Sequence, residues 1–325
     1  MASEPLLSVR DLRISFGGDE AVRGVSFDVR AREVFALVGE SGAGKSLTAS
    51  ALLGMLPRQA ATAGTVRPDL SGARGRRIAL VPQDALSALS PVHRVGDQLA
   101  AAVRSVRRAG RREAHARAVA ALERVGIPDA ARAARAYPHE FSGGMRQRAV
   151  IAMATVNEPE ILVADEPTTA LDADRRELVL KLLAEQREAV GAALVLVTHD
   201  LDVVRDHADR MLVMYAGRAV ELGPVRAVSD RPRAPYTAGL LASLPRPDGP
   251  RRRRLPTLPG VPPAPGALPP GCAFAPRCPL ATDRCTVEEP ELREIDGRLT
   301  ACHRAHEVPH APDELFPEQN RRQHA

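Results

Sequence analysis

The chain has 325 residues, of which 44% are hydrophobic and 26% charged, with 45 Lys plus Arg against 40 Asp plus Glu. Those proportions fit a packed core with an appendage and exclude a wholly disordered or collagen-like polymer. No run approaches about 18 consecutive apolar residues, and Met1 to Asp11 lacks a basic end followed by an apolar stretch. Neither a membrane span nor a secretory signal is therefore expected, and the expected compartment is the cytosol. Lys45 and Lys181 are the only lysines, so the modest net charge of +5 is carried by arginine. With no Trp and 3% aromatic residues there is little on which to stack bases, and no nucleic-acid partner is expected.

Leu6–Ser15 and Ala21–Val29 read as antiparallel strands joined at Gly17-Gly18. Four short apolar runs follow, at Val34–Val38, Ile78–Pro82, Ile161–Ala164 and Leu194–Thr198, each suited to a strand buried on both faces of a parallel sheet. Ser46–Leu56 is expected to be helical and stopped by Pro57. Ala173–Ala189 is expected to be a helix with Leu178, Leu182 and Leu183 on one face. Between them Val95–Ala136 is rich in Ala and Arg and reads as a helical insertion, interrupted at Gly110 and at Gly126–Pro128. Met211–Tyr215 and Arg218–Leu222 form a hairpin pattern around Ala216-Gly217. Residues 245–270 contain ten prolines and the run Arg251–Arg254, the composition of an extended linker or surface-hugging arm.

Gly39-Glu40-Ser41-Gly42-Ala43-Gly44-Lys45-Ser46 lies between a predicted strand and a predicted helix. Such a loop points successive N–H groups into an anion-sized hollow, Lys45 reaches the β- and γ-phosphates, and the Ser46 hydroxyl ligates Mg²⁺. Asp165 ends a buried strand where open α/β sheets place their ligands, which suits it to hold Mg²⁺ through water. Its neighbour Glu166 is placed to orient or deprotonate an attacking water. Ser142-Gly143-Gly144 opens another helix and offers a second anion site with one hydroxyl and free N–H groups.

In this order, together with Leu171-Asp172 and Thr198-His199-Asp200, these motifs resemble the ATP-binding subunit of an ABC transporter. The resemblance implies an α/β, RecA-like P-loop NTPase core, with an N-terminal antiparallel β subdomain, a helical signature subdomain near 90–150 and a C-terminal Cys-rich extension. It assigns Phe16 to adenine, Gln83 to the loop that senses Mg²⁺ and water, and Glu166 to the general base. His199 would contact the γ-phosphate, and Asp172 belongs to the loop that crosses the dimer. Ser142, Gly143 and Gly144, with Gln147, would face ATP bound to the opposite subunit.

Tyr137-Pro138-His139-Glu140-Phe141, Arg233-Ala234-Pro235-Tyr236-Thr237 and Leu258-Pro259-Gly260 are similar to the oligopeptide and dipeptide import subfamily. That resemblance implies an ATP-hydrolysing translocase subunit at the cytoplasmic face of a bacterial inner membrane. Its expected partners are a second, related ATP-binding subunit, two permease subunits and an extracytoplasmic substrate-binding protein. The same machinery could carry nickel or another small solute. A soluble ABC ATPase acting on nucleic acid is the weaker alternative, because no heptad repeat persists.

Cys272, Cys278, Cys285 and Cys302 crowd into 31 residues of a tail too small to fold well alone. Without paired C-x-x-C knuckles they suit a 4Fe-4S cluster better than most zinc sites, and the subfamily tilts the choice the same way. Arg277 and His303 adjoin these ligands in sequence, where His303 could tune or shield the cluster; Arg277 is set aside because arginine is abundant throughout the chain. The expected division is 5–235 for the ATP-binding domain and 236–325 for the extension, with the Cys-rich module at 271–305.

Overall fold

The computed structural model describes residues 4–85, 87–169, 171–244 and 256–316. The Arg251–Arg254 run and the first part of the proline-rich stretch lie outside the described residues.

The four expected apolar strands become neighbours in one sheet, and the two expected N-terminal strands pair in another. β1 (Leu7–Phe16), β2 (Asp19–Val29), β3 (Val34–Val38), β4 (Ala60–Arg67), β5 (Ile78–Val81) and β6 (Ile161–Asp165) come first in the chain. β7 (Ala193–Thr198), β8 (Arg210–Tyr215), β9 (Arg218–Pro224), β10 (Arg293–Ile295) and β11 (Arg298–Thr300) follow. The main sheet runs β10-β11-β9-β8-β3-β7-β6-β5. β3 pairs in parallel with β7 and β8, and β6 in parallel with β5 and β7. All five residues of β3 and all six of β7 are buried, which is why these segments carry no polar alternation. Phe35 and Leu37 face the antiparallel sheet β2-β1-β4, whereas Ala36 and Val38 face Tyr215, Tyr236 and Phe274 on the opposite side.

The insertion forms helices Val95–Val106 and Arg111–Arg124 and a short Ala130–Ala133 turn, packed on helix Gly143–Thr155. The helix after the phosphate loop covers only Lys45–Leu52, ending four residues short of the expected stop. Helix Ala173–Val190 buries Val179, Leu182, Leu183 and Gln186. Leu178, expected on that face, is instead exposed, because the buried stripe starts one residue later and turns Leu178 to the rim.

The tail is built onto the core. β11 pairs antiparallel with β9, Leu299 opposite Leu222 and Thr300 opposite Glu221, so the β10–β11 hairpin extends the main sheet. Phe274, Val308 and Phe316 share a cluster with Val213, Tyr215 and Tyr236. Buried Arg298 stands 3.5 Å from buried Glu221, Arg233 pairs with Asp296, and Arg23 pairs with Glu289 at 2.9 Å.

Candidate active site

The phosphate loop leaves the buried carboxyl end of β3 and enters helix Lys45–Leu52. Two of its glycines are required by close approach. A Cβ at Gly39 would stand 2.2 Å from the Met214 carbonyl oxygen, and one at Gly44 would stand 2.9 Å from that of Ala21, both at positive φ. Ala43 turns its methyl inward and is buried, and its carbonyl accepts from the Gly217 N–H at 3.2 Å, which ties the loop to the β8–β9 turn. Ser41 and Gly42 are exposed. Buried Lys45 donates to the carbonyls of Gly39 at 2.7 Å and Glu40 at 3.0 Å. Burial holds its ammonium below the ordinary lysine range, against the pull of Glu166, Asp165 and Glu40.

The acidic end of β6 lies beside this loop. Ser46 Oγ donates to Asp165 Oδ1 at 3.0 Å, an oxygen pair of the hard kind that Mg²⁺ prefers. Partial burial raises the Asp165 carboxyl above its usual range, a penalty that a nearby cation would remove. Glu166 adopts a left-handed φ of 46°, which for a non-glycine residue costs on the order of 1 kcal/mol. Its N–H donates to the Val197 carbonyl at 2.8 Å, which pins the turn. Three side chains converge on its carboxylate: Thr169 Oγ1 at 2.7 Å, Gln83 Nε2 at 3.4 Å and His199 Nδ1 at 3.4 Å. Burial works to raise the Glu166 carboxyl, but the bonds from Thr169 and His199 outweigh it and leave the group below its ordinary value, ionised at neutral pH. Thr169 was not singled out from the sequence; its bond to Glu166 shows only in the folded chain.

The remaining motif residues are placed apart from this cluster. Ser142 caps helix Gly143–Thr155, its Oγ accepting from the Met145 N–H at 3.2 Å. Gly143 and Gly144 are exposed, and a Cβ on either would meet open space. Gln147 Nε2 donates to the Pro167 carbonyl at 3.2 Å, tethering this helix to the residue after Glu166. Asp172 caps helix Ala173–Val190 through the Arg175 N–H at 2.9 Å. Phe16 ends β1, half-buried at the margin of the core. Among the described residues no hydrogen bond joins Ser142, Asp172 or Phe16 to the phosphate loop. The chain thus gathers Lys45, Ser46, Asp165, Glu166, Gln83, Thr169 and His199 at one place and, separately, presents an exposed glycine-rich helix start.

In the tail, Cys272, Cys278, Cys285 and Cys302 are free thiols that line one cavity, with Tyr215, Tyr236 and Phe274 in its wall. Burial pushes the Cys278 thiol up to about 11 and the Cys302 thiol up to about 12, and neighbouring thiols add to both shifts. Among the described residues no three His, Cys, Asp or Glu side chains are arranged to hold a metal ion. His303 lines the cavity, its Nε2 bonded to the Glu288 carbonyl at 3.0 Å. Arg277, expected beside the cluster, instead reaches Glu40 of the phosphate loop, because that carboxylate offers a bidentate partner.

This phosphate loop, with an acidic strand end and a separate Ser-Gly-Gly helix start, defines an ABC-type ATP-binding protein. A family model described as ABC transporter matches residues 22–169, and one described as Oligopeptide/dipeptide transporter, C-terminal region matches residues 220–285. The chain belongs to the oligopeptide/dipeptide transporter family of ABC ATP-binding proteins. It is 48% identical over 307 residues to the oligopeptide transport ATP-binding protein OppD of Mycobacterium tuberculosis, covering 90% of this chain and 50% of that protein. It thus spans about half the length of that relative. A probable peptide ABC transporter ATP-binding protein of Sinorhizobium fredii is 45% identical, over 93% of this chain and 96% of its own. Among solved structures, the ATP-binding cassette MJ0796, dimeric in a post-hydrolysis state bound to ADP and Pi, is similar with a TM-score of 0.58 and 26% identity, over 68% of this chain and 99% of its own. No helix among the described residues is long and apolar enough to cross a membrane.

Proposed function

We propose that this chain hydrolyses ATP to energise a bacterial importer of dipeptides or oligopeptides, bound peripherally at the cytoplasmic face of the inner membrane. The observation that carries the reading is the convergence of Gln83, Thr169 and His199 on Glu166, beside Lys45, Ser46 and Asp165.

Lys45 exchanges the carbonyls of Gly39 and Glu40 for phosphate oxygens, and the loop N–H groups from Gly42 to Ser46 cradle the rest of the phosphate chain. Phe16 stacks on the adenine. Ser46, Asp165 and Gln83 would hold Mg²⁺, which when bound neutralises charge on the β- and γ-phosphates. Glu166, already ionised and held by Thr169, takes a proton from the attacking water, and His199 steadies that carboxylate and contacts the γ-phosphate.

Ser142, Gly143, Gly144 and Gln147 serve the ATP of a second, related ATP-binding subunit, and Asp172 lies at the crossing between the two. Closing and reopening that pair works two permease subunits fed by an extracytoplasmic binding protein. The domain reading follows: 5–235 binds ATP, with a helical subdomain near 90–150, and 236–325 is the extension, with its Cys-rich module at 271–305. Cys272, Cys278, Cys285 and Cys302, which line one cavity, would hold a 4Fe-4S cluster through their thiolates. Such a cluster would staple a tail that has little core of its own.

Glu166→Gln tests the catalytic reading. ATP binding is expected to persist while turnover falls by about a thousandfold, measured as ATP affinity and phosphate release. Turnover near the wild-type rate would defeat Glu166 as the base.

A further inference from the structure

The phosphate loop carries a carboxylate of its own. Glu40 follows Gly39 directly, and its charge opposes the approach of a polyphosphate unless something cancels it. Arg277, 237 positions along the chain and only 6% exposed, does so with both arms of its guanidinium. Nη1 donates to Glu40 Oε2 at 2.7 Å and Nη2 to Oε1 at 3.0 Å. Nε donates to the Pro259 carbonyl at 2.6 Å and Nη1 also to the Tyr215 hydroxyl at 3.1 Å. The guanidinium carbon lies 5.6 Å from the ring centroids of both Tyr215 and Phe274. Three residues besides Glu40 thus hold Arg277: Pro259, Tyr215 and Phe274.

The backbone of Glu40 is held as well. Its N–H donates to the Tyr236 hydroxyl at 2.8 Å, and its carbonyl accepts from Lys45 at 3.0 Å. Its carbonyl also accepts from the Ala43 N–H at 3.2 Å, so every polar group of Glu40 is engaged, and two of the four holds come from beyond β9. We propose that Arg277 is a positioning residue for ATP binding: paired with Glu40, it neutralises the loop's own carboxylate and sets the loop's entry, which makes nucleotide affinity depend on the C-terminal tail. The proposal rests on the ATP-binding reading above.

The test measures Mg-ATP affinity by calorimetry, together with KM and kcat, on the full chain. Arg277→Met, which keeps the stem and removes the charge, is expected to weaken ATP binding and raise KM by about ten- to hundredfold, with kcat within about twofold. Glu40→Gln added to Arg277→Met removes the stranded carboxylate and is expected to recover most of that affinity. A packing role alone would not give this recovery. Arg277→Lys keeps the charge and loses the fork, with an expected loss of about three- to tenfold. It serves as the comparison should the Met variant fail to fold. Unchanged affinity in both single variants, or a loss in Arg277→Met that the added Glu40→Gln leaves in place, overturns the proposal. A wild-type chain that does not bind ATP overturns the underlying reading as well.

Discussion

The phosphate loop and the thiol cavity share Tyr236, which bonds the Glu40 N–H and stands in the cavity wall, but their donors arrive by different routes. The loop's donors are consecutive, and its shape is imposed by backbone: glycines at Gly39 and Gly44 let it pass against the Met214 and Ala21 carbonyls. The four thiols span 31 residues of a tail that takes its position from a sheet edge at β9 and from ion pairs with distant residues. A site made from backbone can form wherever its short segment folds. A site made from scattered side chains forms only once the whole tail has docked.

Three substitutions sharpen that contrast. Gly39→Ala would press a methyl into the Met214 carbonyl and is expected to cost at least about a hundredfold in ATP affinity, with the four cysteines unaffected. Affinity measured beside thiol titration checks both halves, and an unchanged affinity would break the comparison. Cys302→Ser is expected to remove most bound iron and sulfide from anaerobically purified protein, from about four of each per chain, while ATP affinity falls less than in Arg277→Met. A single stoichiometric zinc in the wild-type chain would count against the cluster.

The smallest effect concerns the docking of the tail. Burial pushes the Glu221 carboxyl up to about 7, against the bonds it accepts from the N–H groups of Arg233 and Ala234. The folded chain therefore binds this proton more tightly than the unfolded one, whose carboxyl has its ordinary value of 4.5. That contribution is fully present below about pH 4.5 and fades as pH rises to about 7. Unfolding midpoints measured across this range are expected to fall in the wild-type chain, and the Glu221→Gln variant is expected to lack that part of the slope.

Much of the core was legible because its signals are local. Val34–Val38 and Leu194–Thr198 are apolar at nearly every position since both faces are covered, and the spacing of Gly39 to Ser46 is itself the loop. β4 was not legible: Ala60–Arg67 lies on β1 with nearly all its residues exposed, so it carries no alternation. β10 and β11 are three residues each, held by the edge they join, and gave no periodic signal of their own. At the site, Glu166 and His199 were singled out within motifs and Gln83 by the family resemblance, and the structure brings the three side chains together. Thr169 on Glu166 and Arg277 on Glu40 were missed, the second because a pair 237 residues apart leaves no mark on local sequence.

In the proposed reading the chain supplies one half of a nucleotide site, and its exposed Ser142, Gly143 and Gly144 serve the other half. Phosphate release per chain across a dilution series, alone and with a companion ATP-binding subunit, addresses that division directly. The account predicts that turnover rises as subunits associate and disappears when the chain is diluted to monomer; a strictly monomeric chain hydrolysing ATP at an undiminished rate would contradict it.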